Sequence, residues 1–288
     1  MVSKMKKNRL FIVLSCAIAL LLLFAAVPVV ADVQAYSPLQ DQARAALIDQ
    51  ISGTEMTSGQ YIQTVWPEVY QKISPADKAK LATVDQVWEM ESGTVIDGKT
   101  MALTSFRPER LAVMDAVENL EITEAEYMQI VWPELWADMS AETKAHLANL
   151  PNMHSAATKI ALSGQVSALS SSLMVDVDTT FTIDRMYLKF YLSSGATWTD
   201  AYYRPTFHYA ETFIYNSGNT KVGSTVAYED GSQIPTVSSG YNHISSNNMI
   251  DHLPAGSYRA DAMAYASTAS YYQEQATDSS SVYYPGWP

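Results

Sequence analysis

Residues 44 to 84 align without a gap on residues 110 to 150, at a constant offset of 66, and 16 of the 41 positions are identical. A register held that long marks a duplicated unit, and a duplicated unit has to fold the same way twice. The identical pairs include Arg44 and Arg110, Asp49 and Asp115, Thr57 and Thr123, Tyr61 and Tyr127, and Gln63 and Gln129. At the centre, Val65-Trp66-Pro67-Glu68 stands against Val131-Trp132-Pro133-Glu134.

Apolar positions at spacings of three and four make each copy helical. Ala43, Ala46, Leu47 and Ile51 line one face of a first helix. Thr57 is placed to cap a second, and Pro67 has to break it at Trp66, because the ring clashes with the carbonyl four residues earlier. Ser74-Pro75, with Asp77 two residues on, then starts another helix. Copy two repeats the plan from Thr123, Pro133 and Ser140.

Two chemistries are open to Glu68 and Glu134. Brought together across a cleft at about 5 to 10 Å, they are the paired carboxylates of a hydrolase. Left in the first turn after a proline, each simply meets the positive end of a helix dipole.

From about Met174 the period changes to alternation, with Phe181, Ile183, Tyr187 and Lys189 interleaving with Met186, Leu188, Phe190 and Leu192. Further strands are expected over 201–215, 220–228, 258–266 and 276–284, and the Asp97-Gly98 turn between the two copies predicts a small hairpin. Leu253-Pro254-Ala255-Gly256-Ser257-Tyr258, leading into a strand, resembles the tyrosine corner of immunoglobulin-like and fibronectin-type sandwiches. The resemblance implies a sandwich architecture and a Tyr258 hydroxyl bonded back to upstream backbone.

The expected whole is an α+β multidomain protein. A duplicated helical domain over 36–150 is joined by a connector over 151–174 to a Tyr-rich antiparallel β-sandwich of immunoglobulin-like architecture over 175–288. Residues 1–31 read as a signal peptide or membrane anchor: Lys4, Lys6, Lys7 and Arg9 precede an apolar run from Leu10 to Val27. Small residues at Val29 and Ala31, or Val33 and Ala35, suit a cut. The single cysteine, Cys16, lies in that run, so no disulfide can staple the exported part.

Of 18 Lys and Arg, four precede Ala31, while all 30 Asp and Glu follow it; 14 against 30 leaves the exported part at −16. Such a surface repels nucleic acid and anionic lipid, which leaves membrane contact to residues 10–30.

Fourteen of the 18 tyrosines lie from Tyr187 onward. The doublets Tyr202-Tyr203, Tyr271-Tyr272 and Tyr283-Tyr284 put one ring on each face of any strand they occupy, and are the candidate binding residues. No catalytic residue or cofactor is assigned. Asp176 with Asp178, and Glu229-Asp230-Gly231, are acidic turns of the kind that holds calcium, without a full loop motif. His243, Asp251 and His252 share a loop-rich stretch that could take zinc, whereas His208 and Glu211, three apart on a strand, point to opposite faces. The expected function is non-catalytic: adhesion or a structural role at the cell surface, with an envelope protein or a glycan as partner. The glycan reading requires coplanar rings on one sheet face among polar neighbours.

Overall fold

Both copies of the repeat build the same succession of elements, for the same local reasons. In the computed structural model the described residues are 38–88, 94–96, 100–105, 107–155, 172–184, 187–231, 234–250, 253–270 and 273–286. Copy one comprises α1 (Pro38–Ile51), α2 (Ser58–Val65), α3 (Pro67–Lys72) and α4 (Pro75–Leu81). Copy two comprises α5 (Pro108–Val117), α6 (Glu124–Val131), α7 (Pro133–Asp138) and α8 (Ala141–Leu147).

Thr57 and Thr123 each close a capping box, with Gln60 and Glu126 respectively, so two orphan donors at each helix start are satisfied reciprocally. The proline break falls where the sequence places it. Trp66 sits at φ −129°, ψ 64°, and Trp132 at φ −126°, ψ 58°. Ser74 caps α4 through the Asp77 N–H, and Ser140 caps α8 through the Thr143 N–H.

The correspondence runs past residues 84 and 150. Gln86 N donates to Met56 O, and Asn152 N donates to Ile122 O, both at 2.9 Å. Residues 151–155, the expected start of the connector, therefore continue copy two: Asn152, Met153, His154 and Ser155 are buried. Asn152 Nδ2 reaches the carbonyls of Val117, Glu118 and Leu120 at the end of α5 and so ties the chain after copy two to that helix end.

The chain is a mixed α+β protein with two antiparallel sheets. The strands are β1 (Thr94–Ile96), β2 (Thr100–Ser105), β3 (Leu173–Asp184), β4 (Tyr187–Trp198), β5 (Pro205–Asn216), β6 (Lys221–Asp230), β7 (Gly240–Ile250), β8 (Gly256–Thr268) and β9 (Gln273–Tyr284). One sheet has the order β1-β2-β6-β5-β8-β9 and the other β3-β4-β7. The expected hairpin between the copies is β1 with β2, and β2 joins β6, so the inter-copy segment extends the larger sheet. Residues 97–99 of its turn lie outside the described residues, as do the whole of 1–37. No described helix is long and apolar enough to cross a membrane.

The central strands are buried on both faces, which is why β5, β6 and β8 lack clean alternation. Phe207, Tyr209, Phe213, Val226, Tyr228, Met263 and Tyr265 pack into the same core as the helices. Their neighbours Ala210, Ala227, Ala260, Ala262 and Ala264 face the smaller sheet and meet its Leu188, Phe190, Leu192 and Ile244. Small side chains on one sheet and large ones on the other let the two interdigitate. Helices and sheets thus belong to one compact unit, with copy two and the larger sheet sharing a core.

Two strand readings change. The alternation around Phe181 to Leu192 is a hairpin, β3 paired with β4 from Leu173↔Trp198 to Asp184↔Tyr187, rather than one strand. β7 carried no alternating apolar signal because its inward positions include Asn242 and Ser246, which bond to His208 and Thr225 instead of packing as hydrocarbon.

The bond expected of Tyr258 is present: its hydroxyl donates to Pro254 O at 2.6 Å, and the residue is 3% exposed. Replacing Tyr258 by Phe removes one bond and leaves a carbonyl unpaired. Urea denaturation should show a loss of about 1 to 2 kcal/mol with an unchanged m-value.

Candidate functional site

The repeated glutamates are held by the repeated arginines. Arg44 pairs with Glu68, and Arg110 pairs with Glu134, at the same separation of 24 residues in each copy. In copy two the pair is bidentate, with Arg110 Nη1 at 3.1 Å from Glu134 Oε2 and also donating to Val131 O at 2.6 Å. The guanidinium lies 4.8 Å from the centre of the Trp132 ring. Each glutamate occupies the first turn of its helix. Each carboxylate paired in this way holds a helix junction, and in copy two both Glu134 oxygens are engaged by the guanidinium.

Exposure separates the two copies. The Arg44 and Glu68 side chains are 22% and 42% exposed, against 7% and 13% for Arg110 and Glu134. Arg110→Ala leaves a largely buried carboxylate unpaired and should cost about 3 to 5 kcal/mol. The equivalent Arg44→Ala should cost about 0 to 1 kcal/mol, because water screens the pair. Chemical denaturation of the two variants tests the contrast.

A second constellation mimics a nucleophilic triad. Ser194 Oγ is 2.9 Å from His208 Nε2, and Asn242 Nδ2 is 3.0 Å from His208 Nδ1. Its proton order is wrong for catalysis. Ser194 spends its hydroxyl proton on Asp176 O at 2.7 Å, so Nε2 donates to the serine, while Nδ1 accepts from the amide. A general base needs the reverse at Nε2. The three residues lie buried between the sheets, where burial and then the nearby His243 lower the His208 pKa to about 3.

Burial likewise lowers His146, bonded to Ser267 Oγ at 2.7 Å, to about 4. Both rings stay neutral in the fold while the unfolded chain takes up protons near pH 6.5, so stability is complete above that pH and declines below it. Between about pH 6 and pH 5 the two should together lower stability by about 2.4 kcal/mol. His146→Gln should halve that contribution, as read from urea midpoints across the window.

As expected, Glu211 faces away from His208, into the helices. Its carboxylate accepts from Tyr209 Oη at 2.7 Å, Ser224 Oγ at 2.9 Å, Trp132 Nε1 at 3.2 Å and Tyr127 Oη at 3.3 Å. His154 lies between it and Glu124, with Nδ1 3.3 Å from Glu211 and Nε2 3.5 Å from Glu124. Burial first, and the Glu211 charge second, push the Tyr127 and Tyr209 hydroxyls well above the ordinary phenol range. All five side chains around Glu211 and Glu124 are sealed from solvent, so this cluster holds copy two on the sheet.

The acidic turns divide. Glu229 and Asp230 are buried, and Asp230 Oδ2 accepts from Ser140 N at 2.9 Å, which fixes the start of α8. Asp176 and Asp178 are exposed on one face of β3, as their spacing requires. Among the described residues no group of three or more His, Cys, Asp or Glu is arranged to hold a metal ion. His243 is on β7 rather than in a loop, and Asp251 and His252 lie outside the described residues.

Of the candidate tyrosines, Tyr202 and Tyr203 sit edge to face, 5.1 Å apart, on a short 3-10 turn, with Tyr202 64% exposed. Tyr283 is 66% exposed on β9 while Tyr284 is fully buried, the in-and-out pair that a strand dictates. Tyr271 and Tyr272 lie outside the described residues.

Tyr241, which the doublet pattern passes over, has the more developed surroundings. It is 54% exposed on the outward face of β7, and its ring rests over Gly195 of β4. A Cβ added at Gly195 would stand 2.7 Å from Tyr241 Cε2, 2.8 Å from its hydroxyl and 2.9 Å from Asp176 Oδ1. Asp176 Oδ1 accepts from Gly195 N at 2.8 Å. Partial burial, then Asp176, raise the Tyr241 pKa. Two residues along the strand, His243 turns its ring to within 26° of the Tyr241 plane, with centres 6.3 Å apart, and its Nε2 is 3.0 Å from Ser193 Oγ. The sequence signal was available: an aromatic and a histidine two apart on a strand share a face.

No protein-family model matches the chain, and no curated protein matches it in sequence. Among solved structures it is similar to Northeast Structural Genomics Consortium target SoR45, with TM-score 0.26 and 13% identity, over 41% of this chain and 91% of that one. It is also similar to the Pseudomonas fluorescens alkylpurine DNA glycosylase AlkC bound to DNA containing an abasic site analog. There the TM-score is 0.21 and the identity 10%, over 53% of this chain and 45% of that one. At these TM-scores neither likeness bears on fold or function.

Proposed function

We propose that the protein is an exported, non-catalytic module of the cell surface or envelope, acting by adhesion or protein interaction. It pairs a duplicated helical domain with a Tyr-rich β-sandwich of immunoglobulin-like architecture. The observation that carries this reading is that its catalytic-looking groups are spent on holding the fold. Glu68 and Glu134 are each bound by an arginine, and the Ser194–His208–Asn242 trio is buried with its proton order reversed. What the surface does offer is aromatic: Tyr202, Tyr241 and Tyr283 are each more than half exposed. Rings on a rigid scaffold supply contact area at low entropic cost, which suits binding.

Export rests on the cationic and apolar pattern of residues 4 to 27, and the exported charge of −16 (14 against 30) disfavours nucleic acid as a partner. Fractionation of the native cells with intact-mass spectrometry tests the compartment. A mass starting at Asp32 or Tyr36 in the medium, or the full-length mass in the membrane, is the expected result. The full-length chain in the soluble cytosol would overturn it.

A further inference from the structure

We propose that the outward face of β3-β4-β7, centred on Tyr241, is a binding site for a neutral sugar unit of a glycan chain. The inference rests on the reading of the protein as a non-catalytic binding module, and it names that module's ligand and place.

A pyranose presents an apolar C–H face and a rim of hydroxyls. Its receptor needs a flat, accessible ring with hydrogen-bonding groups at the ring's edge. Tyr241 supplies the ring, which is 54% exposed and lies across the strand because Gly195 has no side chain to lift it. The edge groups stand beside it. Asp176 spends one carboxylate oxygen on Gly195 N, and its other oxygen and the Tyr241 hydroxyl make no hydrogen bond among the described residues. His243, exposed on the same face, engages Ser193 through Nε2, and its Nδ1 makes no hydrogen bond among the described residues. A carboxylate, a phenol and an imidazole around one ring offer both acceptors and donors to vicinal hydroxyls.

The occupant follows from what the rest of the face is. Met174, 51% exposed, stands across Thr197 from Tyr241, and the half-buried Tyr191 lies beyond Ser193, so polar Thr197, Ser193, Ser245 and Asp178 interrupt these side chains and the face lacks the contiguous apolar core that a protein partner's anchor residues require. Asp176 and Asp178, with the overall acidity, repel uronic and sialic acids. Two rings 6.3 Å apart along one strand, with planes within 26°, favour a chain of sugars passing over both rather than a single monosaccharide in a pocket.

The test uses purified full-length protein and four variants, with chitotetraose, cellotetraose and a neutral mannan as probes. Binding is read by saturation-transfer NMR and calorimetry, and reducing-end release is followed in the same samples. One neutral probe should bind. Tyr241→Ala should weaken it about tenfold or more, and Asp176→Asn by several-fold. Gly195→Ala, whose new methyl displaces the ring, should act like Tyr241→Ala while circular dichroism and thermal unfolding remain those of the parent. Tyr283→Ala, an exposed ring elsewhere, should bind as the parent does. Binding that survives both Tyr241→Ala and Gly195→Ala overturns the site, as does the absence of binding to every probe. Those failures leave the non-catalytic reading standing. Release of reducing ends that persists in Tyr241→Ala would instead overturn that reading.

Discussion

Glu211 is the residue on which the packing of helices against sheet depends. A carboxylate 1% exposed in the middle of a central strand is tolerable only with its lone pairs filled, because an isolated buried charge costs several kcal/mol. The donors come from three directions: Tyr209 from its own strand, Ser224 from β6, and Tyr127 with Trp132 from copy two. Hydrocarbon alone tolerates many docking angles, whereas four donors converging on two oxygens tolerate few. Lys221, on the same sheet, adds a second tie: its ammonium reaches Glu118 at 2.6 Å and Asp115 at 3.0 Å, near the end of α5. With no cysteine after Cys16, polar ties of this kind take the place of disulfide cross-links.

The duplication shows which interactions build a copy and which adapt it. The capping boxes, the Arg–Glu pairs, and a lysine over an aromatic ring (Lys78 on Tyr70, Lys144 on Trp136) recur in both. The differences gather where copy two meets the sheet. Ser58, which bonds Asp85 O, is replaced at the equivalent position by Glu124, and Trp88, edge-on to Tyr61, is replaced by His154, stacked 3.9 Å from Tyr127. Two substitutions at offset 66 thus turn an ordinary aromatic contact into an acid–imidazole–acid row completed by Glu211. Each nitrogen of His154 faces a carboxylate oxygen, Nδ1 that of Glu211 and Nε2 that of Glu124.

Local chemistry was legible in the sequence to the residue. The Thr57 and Ser74 caps, the break at Trp66, the hairpin pairing of β1 with β2, the opposite facing of His208 and Glu211, and the Tyr258 bond all follow from backbone sterics or strand period, which act within a few residues. Long-range chemistry was not. Arg44 and Arg110 stood in the alignment beside Glu68 and Glu134, yet only the fold brings residues 24 apart into contact. β7 escaped because strand periodicity is a hydrophobic signal, and Asn242 and Ser246 face inward as hydrogen-bonding groups. Residues 151–155 read as connector because they sit beyond the repeat's identical positions, although the offset extends to Trp88 and His154.

The tyrosine count illustrates the same divide. A Tyr-rich half suggests a binding surface, but Tyr209, Tyr228, Tyr258, Tyr265 and Tyr284 are buried, and those nearest the carboxylates serve as donors inside the core. Phenylalanine at Tyr209 would leave Glu211 without its closest donor, so this tyrosine serves the buried acid rather than a ligand. The tyrosine with ligand-binding geometry is singled out by its neighbour. Any side chain at position 195 would lift the Tyr241 ring from the sheet, and glycine in the middle of a strand is otherwise unfavourable, through lost packing and added backbone entropy. A residue that weakens its own strand and makes room for an exposed ring is better explained by what the ring meets than by the strand.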